Sequence, residues 1–230
     1  KRNTESFAKC DLVPNILASV GEPDLSVNVF GQKIDMPLFL SPTAMQRLYH
    51  HDGDKASARA AEKFGTFYSM STMATSSIEE IANISKGPKL FQLYIHKDQA
   101  LTDNLIDRCK SSGFKSLCLT VDTVVAGNRE RDHRTGFTTP PKLTLKSLMS
   151  FAAHPTWTIN YLTHEKFKLA NVAHFTKNGS SIAKGVMEYI NEQYDPAMSW
   201  KDAEYCVKRW KGPFALKGLM SVEDAKKAVD

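Results

Sequence analysis

The sequence has few cysteines, and none is spaced as in a metal site or a redox motif. The four cysteines form no C-x-x-C pair and match no zinc-ligand spacing; they are Cys10, Cys109, Cys118 and Cys206. Cys118 lies in an apolar, strand-like run, so we expect it to be buried as a small hydrophobic residue. Free thiols in a chain of 230 residues favour a reducing compartment, and a cytoplasmic location is therefore expected.

The chain also lacks the segments that direct proteins into or across membranes. No run of about 18 apolar residues is present, so no transmembrane helix is expected, and no signal peptide is recognisable. The first residue is Lys1 and not Met, and the helical pattern over 222–230 has no glycine after it, although glycine commonly ends helices. Both ends are therefore expected to be truncated.

Strong charge is absent as well. The net charge is only +5, and the Lys and Arg residues are spread along the chain without forming a basic patch. A solvated surface explains this distribution, and we expect no nucleic-acid partner.

Short apolar runs alternate with helix-like segments along most of the chain. The runs are Pro37–Leu40, Thr66–Met70, Leu90–Ile95, Ser116–Val121 and Phe214–Lys217. This alternation predicts βαβ units and a parallel sheet. A doubly wound sheet and a β/α barrel both fit the pattern, but no G-x-G-x-x-G follows the first run, which disfavours a dinucleotide-binding fold.

Polar side chains gather where the predicted strands end. Any one of them alone would be read as a turn or capping residue, but equivalent positions in five units favour the active-site face of a barrel. These residues are Thr43, Ser71, Gln92, Tyr94, Thr120, Asp122 and Lys217.

Residues 138–198 interrupt the alternation and are too long for a βα loop. The segment contains an amphipathic stretch at 145–151, and six Lys against two Glu lie between residues 141 and 190. Two interpretations remain open: a lid that packs on its own barrel, or a surface that contacts a membrane peripherally, at its inner face.

Six short motifs occur in an order that resembles the FMN-dependent 2-hydroxy-acid oxidases and dehydrogenases, the family of glycolate oxidase and the flavin-type lactate and mandelate dehydrogenases. The motifs are Ser41–Met45, Ala74–Glu80, Phe91–Tyr94, Leu119–Asp122, Gly127–Asp132 and Leu216–Gly218. The resemblance covers nearly the whole chain. It implies a TIM (β/α)8 barrel of which about five of eight βα units are present. Residues 1–230 would form one partial domain, with 138–198 as a lid-like insertion after the fourth strand.

The resemblance also implies FMN as the cofactor and assigns residues to it. Ser71, Gln92 and Thr120 would hydrogen-bond the polar edge of the flavin, and Lys217 would place a cation where reduced flavin carries negative charge. Lys217 could instead be a surface lysine at the end of a strand. The flavin ring would be lined by Pro42, Thr43 and Ala44.

Three further residues are assigned by resemblance to the substrate and the catalytic base. Arg129 would bind the substrate carboxylate through its guanidinium fork, whereas Arg131 is expected to form a loop salt bridge. Tyr94 would hydrogen-bond the substrate, and Asp122 would stabilise the charged form of a catalytic His.

That catalytic His belongs to a Ser-Asn-His-Gly-Gly-Arg motif on the sixth strand of the family's barrel, and this chain does not contain the motif. None of its seven histidines lies in such a context; they are His50, His51, His96, His133, His154, His164 and His174. The flavin phosphate site and an N-terminal active-site Tyr are also expected to lie outside this chain.

The resulting expectation is an enzyme that oxidises an (S)-2-hydroxy acid, lactate- or mandelate-like, and that is a homotetramer as the resemblance implies. The alternatives are a catalytically inactive fragment or binding module of the same fold, or another FMN barrel such as an isomerase.

Overall fold

A parallel sheet of five strands organises the chain in the computed structural model, which describes residues 2–19, 21–123, 127–128, 130–136, 144–173 and 192–230. Two short strands form an antiparallel hairpin, β1 (Val27–Val29) and β2 (Gln32–Ile34). The parallel strands are β3 (Phe39–Leu40), β4 (Phe67–Ser71), β5 (Lys89–Leu93), β6 (Ser116–Thr120) and β7 (Phe214–Lys217). The helices are α1 (Arg2–Glu5), α2 (Gly53–Lys63), α3 (Ile78–Ile84), α4 (Gln99–Ser111), α5 (Glu130–Thr135), α6 (Leu145–Ala153), α7 (Pro155–Thr163), α8 (Trp200–Trp210) and α9 (Val222–Val229).

The order of the parallel strands decides between the two predicted architectures. Each strand pairs with the next one along the chain, in the order β3-β4-β5-β6-β7. A doubly wound sheet reverses its strand order at a switch point, and the described strands contain no such reversal. The sequential order is that of a β/α barrel, so the predicted fold is confirmed for its first five parallel strands.

The strand boundaries differ from the predicted ones by one or two residues. The first parallel strand covers only Phe39–Leu40, because Pro37 has no N–H group to donate and the Leu38 N–H donates to the Met36 carbonyl at 2.8 Å and not to a neighbouring strand. β4 extends to Ser71, whereas β5 ends at Leu93, before the predicted end.

The β1–β2 hairpin was not predicted from the sequence. Its turn consists of Phe30 and Gly31, both with positive φ, at 50° and 72°. Such a turn matches the twist of the two strands but normally carries Asn or Gly in its first position. Phe30 packs edge-on against Phe67, with the ring centroids 6.0 Å apart. The hairpin thus covers a small cluster that includes Cys118, which is buried as predicted.

The opposite face of the sheet packs against the helices and forms the main core. Side chains of alternate strand positions contact the inward faces of α2, α3, α4 and α8; they include Tyr68, Met70, Phe91, Leu93, Leu117 and Leu119. Each large apolar side chain buried in this way contributes about 1.5–3 kcal/mol. This core fixes the sheet on which the polar strand ends stand.

Local sequence signals explain how two of the helices begin and pack. Ser77 caps α3, since its hydroxyl accepts a bond from the Glu80 N–H at 3.1 Å and the Glu80 carboxylate accepts from the Ser77 N–H at 2.7 Å. These two reciprocal bonds form a capping box. Helix α8 was not predicted; it buries Ala203, Cys206 and Trp210, which its period places on one face.

The described parts of the 138–198 segment, 144–173 and 192–198, are tied to the barrel at several points. Trp157 Nε1 donates to the Leu48 carbonyl at 2.8 Å, and Arg47 Nη2 lies 3.0 Å from a carboxylate oxygen of Glu165. Asn171 is buried and accepts a bond from the Ile78 N–H at 3.0 Å. Residues 138–143 and 174–191 of the predicted insertion lie outside the described ranges.

The predicted amphipathic stretch at 145–151 forms most of helix α6. Apolar side chains of α6 and α7 are nevertheless exposed; they are Leu145, Leu148, Met149, Ile159 and Leu162. Among the helices that the structure describes, none has the length and apolar character that crossing a membrane requires.

Candidate functional site

Three polar side chains form a hydrogen-bonded row at the carboxyl ends of β4, β5 and β6. The register places Ser71 opposite Gln92, and alternate positions of the strands share one face. Ser71 Oγ donates to Gln92 Oε1 at 3.3 Å, and Gln92 Nε2 donates to Thr120 Oγ1 at 2.8 Å. All three residues are almost completely buried. The predicted residues therefore lie together on one wall.

The carboxamide of Gln92, at the centre of this row, can form more hydrogen bonds than the two that are observed. Gln92 has two N–H donors and two acceptor lone pairs, so its bonds to Ser71 and Thr120 use half of them. Burial without further partners is costly for such a group. The row can therefore offer both a donor and an acceptor to a polar, planar ligand edge.

Lys217 continues this wall at the end of β7. The register places it directly opposite Thr120. Its Nζ lies 3.8 Å from Asp122 Oδ2, and both side chains are about half-exposed, at 46% and 45%. The site thus contains a cation next to a neutral hydrogen-bonding row, and the Asp122 carboxylate lies between Lys217 and the Thr123 hydroxyl, which donates to it at 3.3 Å.

Gly218 allows Asp122 to approach this closely. It has a φ of +108°, which L side chains rarely adopt, and a Cβ atom there would lie 2.6 Å from the Asp122 Cβ and Cγ. Only glycine meets both requirements. The Leu216–Gly218 motif therefore has a steric role in addition to carrying the lysine.

Tyr94 follows β5 directly and stands beside the row. Its backbone N–H donates to Thr72 Oγ1 at 3.3 Å. Its ring packs edge-on against Tyr194, with centroids 5.6 Å apart and an interplanar angle of 79°. Both neighbours were missed in the sequence, because Tyr194 lies 100 positions away and Thr72 follows a strand end without a distinctive pattern.

The loop after β3 carries the residues predicted to line the flavin ring. Pro42 and Ala44 are half-buried, and Thr43 is exposed with its hydroxyl bonded to the Ser41 carbonyl at 3.3 Å. Met45 adopts a left-handed conformation with φ 56°, and its N–H donates to the Met73 carbonyl at 3.0 Å. This bond joins the loop to the segment that follows β4, beside Ser71.

A buried carboxylate, Asp54, stabilises the segment that follows β4. The sequence did not single it out as a site residue. Asp54, at the start of α2, is fully buried. Its carboxylate accepts bonds from the N–H and hydroxyl of Thr75, from the Ser76 N–H at 3.2 Å and from the Tyr68 hydroxyl at 3.1 Å. Burial and the neighbouring carboxylate raise the pKa of Tyr68 well above its usual value. Asp54 therefore fixes the turn that leads from β4 into α3.

Arg129, the predicted ligand of the substrate carboxylate, lies outside the described residues. Arg131 is described, in α5, and is exposed. Among the described residues, no group of three or more His, Cys, Asp or Glu is arranged to hold a metal ion.

His96 lies two residues beyond Tyr94 and is buried, and within the described chain neither ring nitrogen has a hydrogen-bond partner. Burial lowers its pKa from 6.5 to about 4, although nearby Asp98 acts in the opposite direction. Its backbone bridges to Tyr194 in antiparallel fashion, so the residue joins the loop after β5 to the returning end of the 138–198 segment.

We predict that this histidine makes stability fall in acid. The unfolded chain takes up the proton near pH 6.5, whereas the folded chain resists it until about pH 4. Stability is therefore intact above the unfolded pKa and is lost as pH falls, by about 3 kcal/mol for this group. Urea unfolding of the wild type and of His96→Phe at several pH values measures the difference. An equally steep acid loss in His96→Phe would contradict the prediction.

Comparisons with known proteins identify relatives of this chain. A family model described as FMN-dependent dehydrogenase matches residues 1–230. Glycolate oxidase 1 of Oryza sativa subsp. indica is 38% identical over 229 residues, which is 100% of this chain and 56% of that protein. An L-lactate dehydrogenase of Allorhizobium ampelinum is 35% identical, over 100% of this chain and 60% of that protein.

A solved structure of similar fold is that of the monotopic membrane protein (S)-mandelate dehydrogenase. It superposes with a TM-score of 0.92 at 29% identity and covers 98% of this chain and 59% of that one. The chain thus spans a little over half the length of the relatives it matches.

Proposed function

The chain belongs to the FMN-dependent dehydrogenase family, whose members are oxidoreductases acting on 2-hydroxy acids. We propose that it carries the flavin-ring and substrate-facing part of an enzyme of this family. The proposed enzyme oxidises an (S)-2-hydroxy acid, lactate- or mandelate-like, to the 2-oxo acid. The observation that supports this most is the buried row Ser71–Gln92–Thr120 with Lys217 beside it.

The residues of the row suit the polar edge of a flavin. That edge presents ring N–H and carbonyl groups, and the Gln92 amide has one donor and one acceptor beyond its two observed bonds. Pro42, Thr43 and Ala44 would line the ring from the β3 loop. FMN, when bound, supplies the acceptor for the two electrons that the substrate loses.

Lys217 would stabilise negative charge on the reduced ring. A fixed cation is effective here because it needs no rearrangement when the charge develops. Its neighbour Asp122 lies 3.8 Å from the ammonium and remains the proposed partner of a catalytic His.

Tyr94 would hydrogen-bond the substrate, and Arg129 would pair with its carboxylate. Oxidation removes two electrons and two protons, one proton from the hydroxyl and the other from the adjacent carbon. The proposed His would accept a proton, and the residues of this chain would hold the substrate in register with it.

Stereospecific product formation tests the proposed function. The complete gene product, incubated with the (S) and (R) forms of lactate and mandelate, is expected to form the 2-oxo acid from the (S) form only. If neither acid yields a 2-oxo product although FMN is bound, the inactive-fragment or isomerase alternatives take its place.

We also propose that the 138–198 segment makes peripheral contact with a membrane surface. The exposed apolar side chains of α6 and α7 support this, since exposed groups of this kind mark interaction surfaces. The structurally similar mandelate dehydrogenase is described as a monotopic membrane protein. Trp157 and Asn171 bond this segment to the barrel at Leu48 and Ile78, so a lid that covers the site is the second proposal for the same residues.

We expect Leu145→Ser combined with Met149→Ser to reduce cosedimentation with anionic lipid vesicles several-fold. Each serine removes part of the apolar burial at the interface, and full burial of such a side chain contributes about 1.5–3 kcal/mol. Val207→Ser on α8, also partly exposed, is the matched control and should cosediment like the wild type. Equal binding by all three proteins would favour the lid.

We also propose that the protein is a homotetramer and that it lies in the cytoplasm or at the inner face of the membrane. The described cysteines are all free, and only Cys10 is exposed, which is compatible with reducing surroundings.

A further inference from the structure

Residues that contact neither cofactor nor substrate can still fix the positions of the residues that do. The end of β5 is held by such a residue. Gln92 is the penultimate residue of the strand, and Tyr94 follows its end. The two have different proposed partners, flavin and substrate, yet they are separated by only one residue. Any shift of the backbone here would move both.

One hydroxyl group ties both residues to β4. Thr72 is fully buried and follows β4 directly. Its Oγ1 donates to the Gln92 carbonyl at 2.6 Å and accepts from the Tyr94 N–H at 3.3 Å. Its backbone N–H also donates to the Gln92 carbonyl, at 3.0 Å. The side chain thus continues the β4–β5 pairing past the point at which the strand ladder ends.

The Tyr94 ring is held from the other side by a distant part of the chain. Tyr194 packs edge-on against it at 5.6 Å, and the backbone of Tyr194 bridges to His96. The N–H of Lys97 donates to the Gln193 carbonyl at 2.9 Å, and the Asp98 N–H donates to the Gln193 side chain at the same distance. The segment that carries Tyr194 is therefore fixed to the loop after β5 by its backbone.

We infer that Thr72 is a positioning residue that sets Tyr94 and Gln92 in register with each other, and that Tyr194 completes the support of the Tyr94 ring. This inference rests on the proposed function, since it concerns the residues proposed to contact flavin and substrate. A displacement of about 1 Å can cost on the order of 10²-fold in rate, so a single buried hydroxyl can matter without touching the substrate.

Thr72→Val is the sharpest test, because it replaces the hydroxyl with a methyl group of similar size. Thr72→Ser keeps the hydroxyl and is expected to restore most of the loss. The matched control is Thr66→Val, at the other end of β4, whose buried hydroxyl donates to the Leu38 carbonyl. Thr66→Val removes one buried hydrogen bond and Thr72→Val removes two, so the stability of both variants is measured beside their kinetics.

The kinetic readout separates positioning from stability. In the complete holoenzyme, Thr72→Val should lower kcat/KM for the hydroxy acid by about 10–10²-fold, with part of the effect in KM because Tyr94 is proposed to hold the substrate. Thr66→Val should leave both constants near wild type. Tyr194→Leu should raise KM and leave flavin affinity unchanged. Thr72→Val should raise KM and also lower the affinity for flavin.

Hydrogen exchange tests the inference independently of turnover. The amide of Tyr94 should exchange faster in Thr72→Val than in the wild type or in Thr66→Val, because its acceptor is gone. Unchanged Tyr94 exchange, or kinetics equal to those of Thr66→Val, overturns the inference. A wild type that oxidises no hydroxy acid overturns the proposed function, and the exchange result then still decides whether Thr72 positions Tyr94.

Discussion

Replacing Lys217 with Met is expected to slow flavin reduction by the hydroxy acid about 10²–10³-fold, the size of effect seen when one preorganised charge-stabilising group is removed. Met has a similar length and no charge, so the change removes the ammonium and little else. The measurement is the stopped-flow rate of flavin reduction in the complete protein.

The same substitution should barely affect stability. The Lys217–Asp122 pair spans 3.8 Å between two half-exposed side chains, and exposed pairs of this kind contribute about 0–1 kcal/mol. The free energy of unfolding is therefore expected to stay within about 1 kcal/mol of wild type. A loss of rate without a loss of stability would place the role of Lys217 in the chemistry.

Lys208→Met provides the control for charge and size. Lys208 is exposed on α8 and pairs with Glu204 at 3.3 Å, away from the strand ends. In the Lys208→Met protein, the hydroxy acid should reduce the flavin as fast as in the wild type. If Lys217→Met does so too, then Lys217 is a surface lysine at the end of a strand, and the assignment of the cation is wrong.

Asp54→Ala is expected to destabilise the protein by about 4 kcal/mol, because it leaves several buried donors without an acceptor. The carboxylate accepts bonds from Tyr68, Thr75 and Ser76. Each buried donor left unpaired costs about 1–3 kcal/mol. Denaturant unfolding of the complete protein, with the wild type at the same pH, measures the loss.

Asp54→Asn separates geometry from charge. Its carbonyl oxygen can still accept the bonds from Thr75 and Ser76, so roughly half of the alanine effect is expected, since charged acceptors bond about twice as strongly as neutral ones. Without the carboxylate charge, the pKa of Tyr68 should fall toward its usual value, which ultraviolet titration detects.

Asp107→Ala, in a half-exposed pair with Arg209, should cost under about 1 kcal/mol. Equal losses for Asp54→Ala and Asp107→Ala would contradict the proposed role of Asp54.

Much of the fold and the polar wall could be predicted because the signals are local. An apolar run of about five residues with a polar side chain at or near its end predicts a strand and its end without knowledge of the rest of the chain. Ser71, Gln92 and Thr120 each stand at such an end. The sequential order of parallel strands then brings them together.

The parts that could not be predicted depend on long-range register or on weak local signals. The pairing of Lys217 with Asp122 requires that β7 lie beside β6, and 93 residues separate β6 from β7. The carboxylate of Asp54 finds its partners 14 to 22 residues away. The hairpin of β1 and β2 was missed because its turn begins with Phe30 in a left-handed conformation. Packing in three dimensions, and not propensity, determines each of these features.

The most direct test is the visible flavin spectrum of the complete gene product before and after anaerobic addition of an (S)-2-hydroxy acid. The proposed function predicts one FMN per chain, bleached by (S)-lactate or (S)-mandelate and restored by an electron acceptor. It also predicts that Gln92→Leu, which removes the centre of the polar row, weakens flavin binding. A protein that binds no FMN when supplied with it, or whose bound flavin no 2-hydroxy acid bleaches, would contradict the proposal.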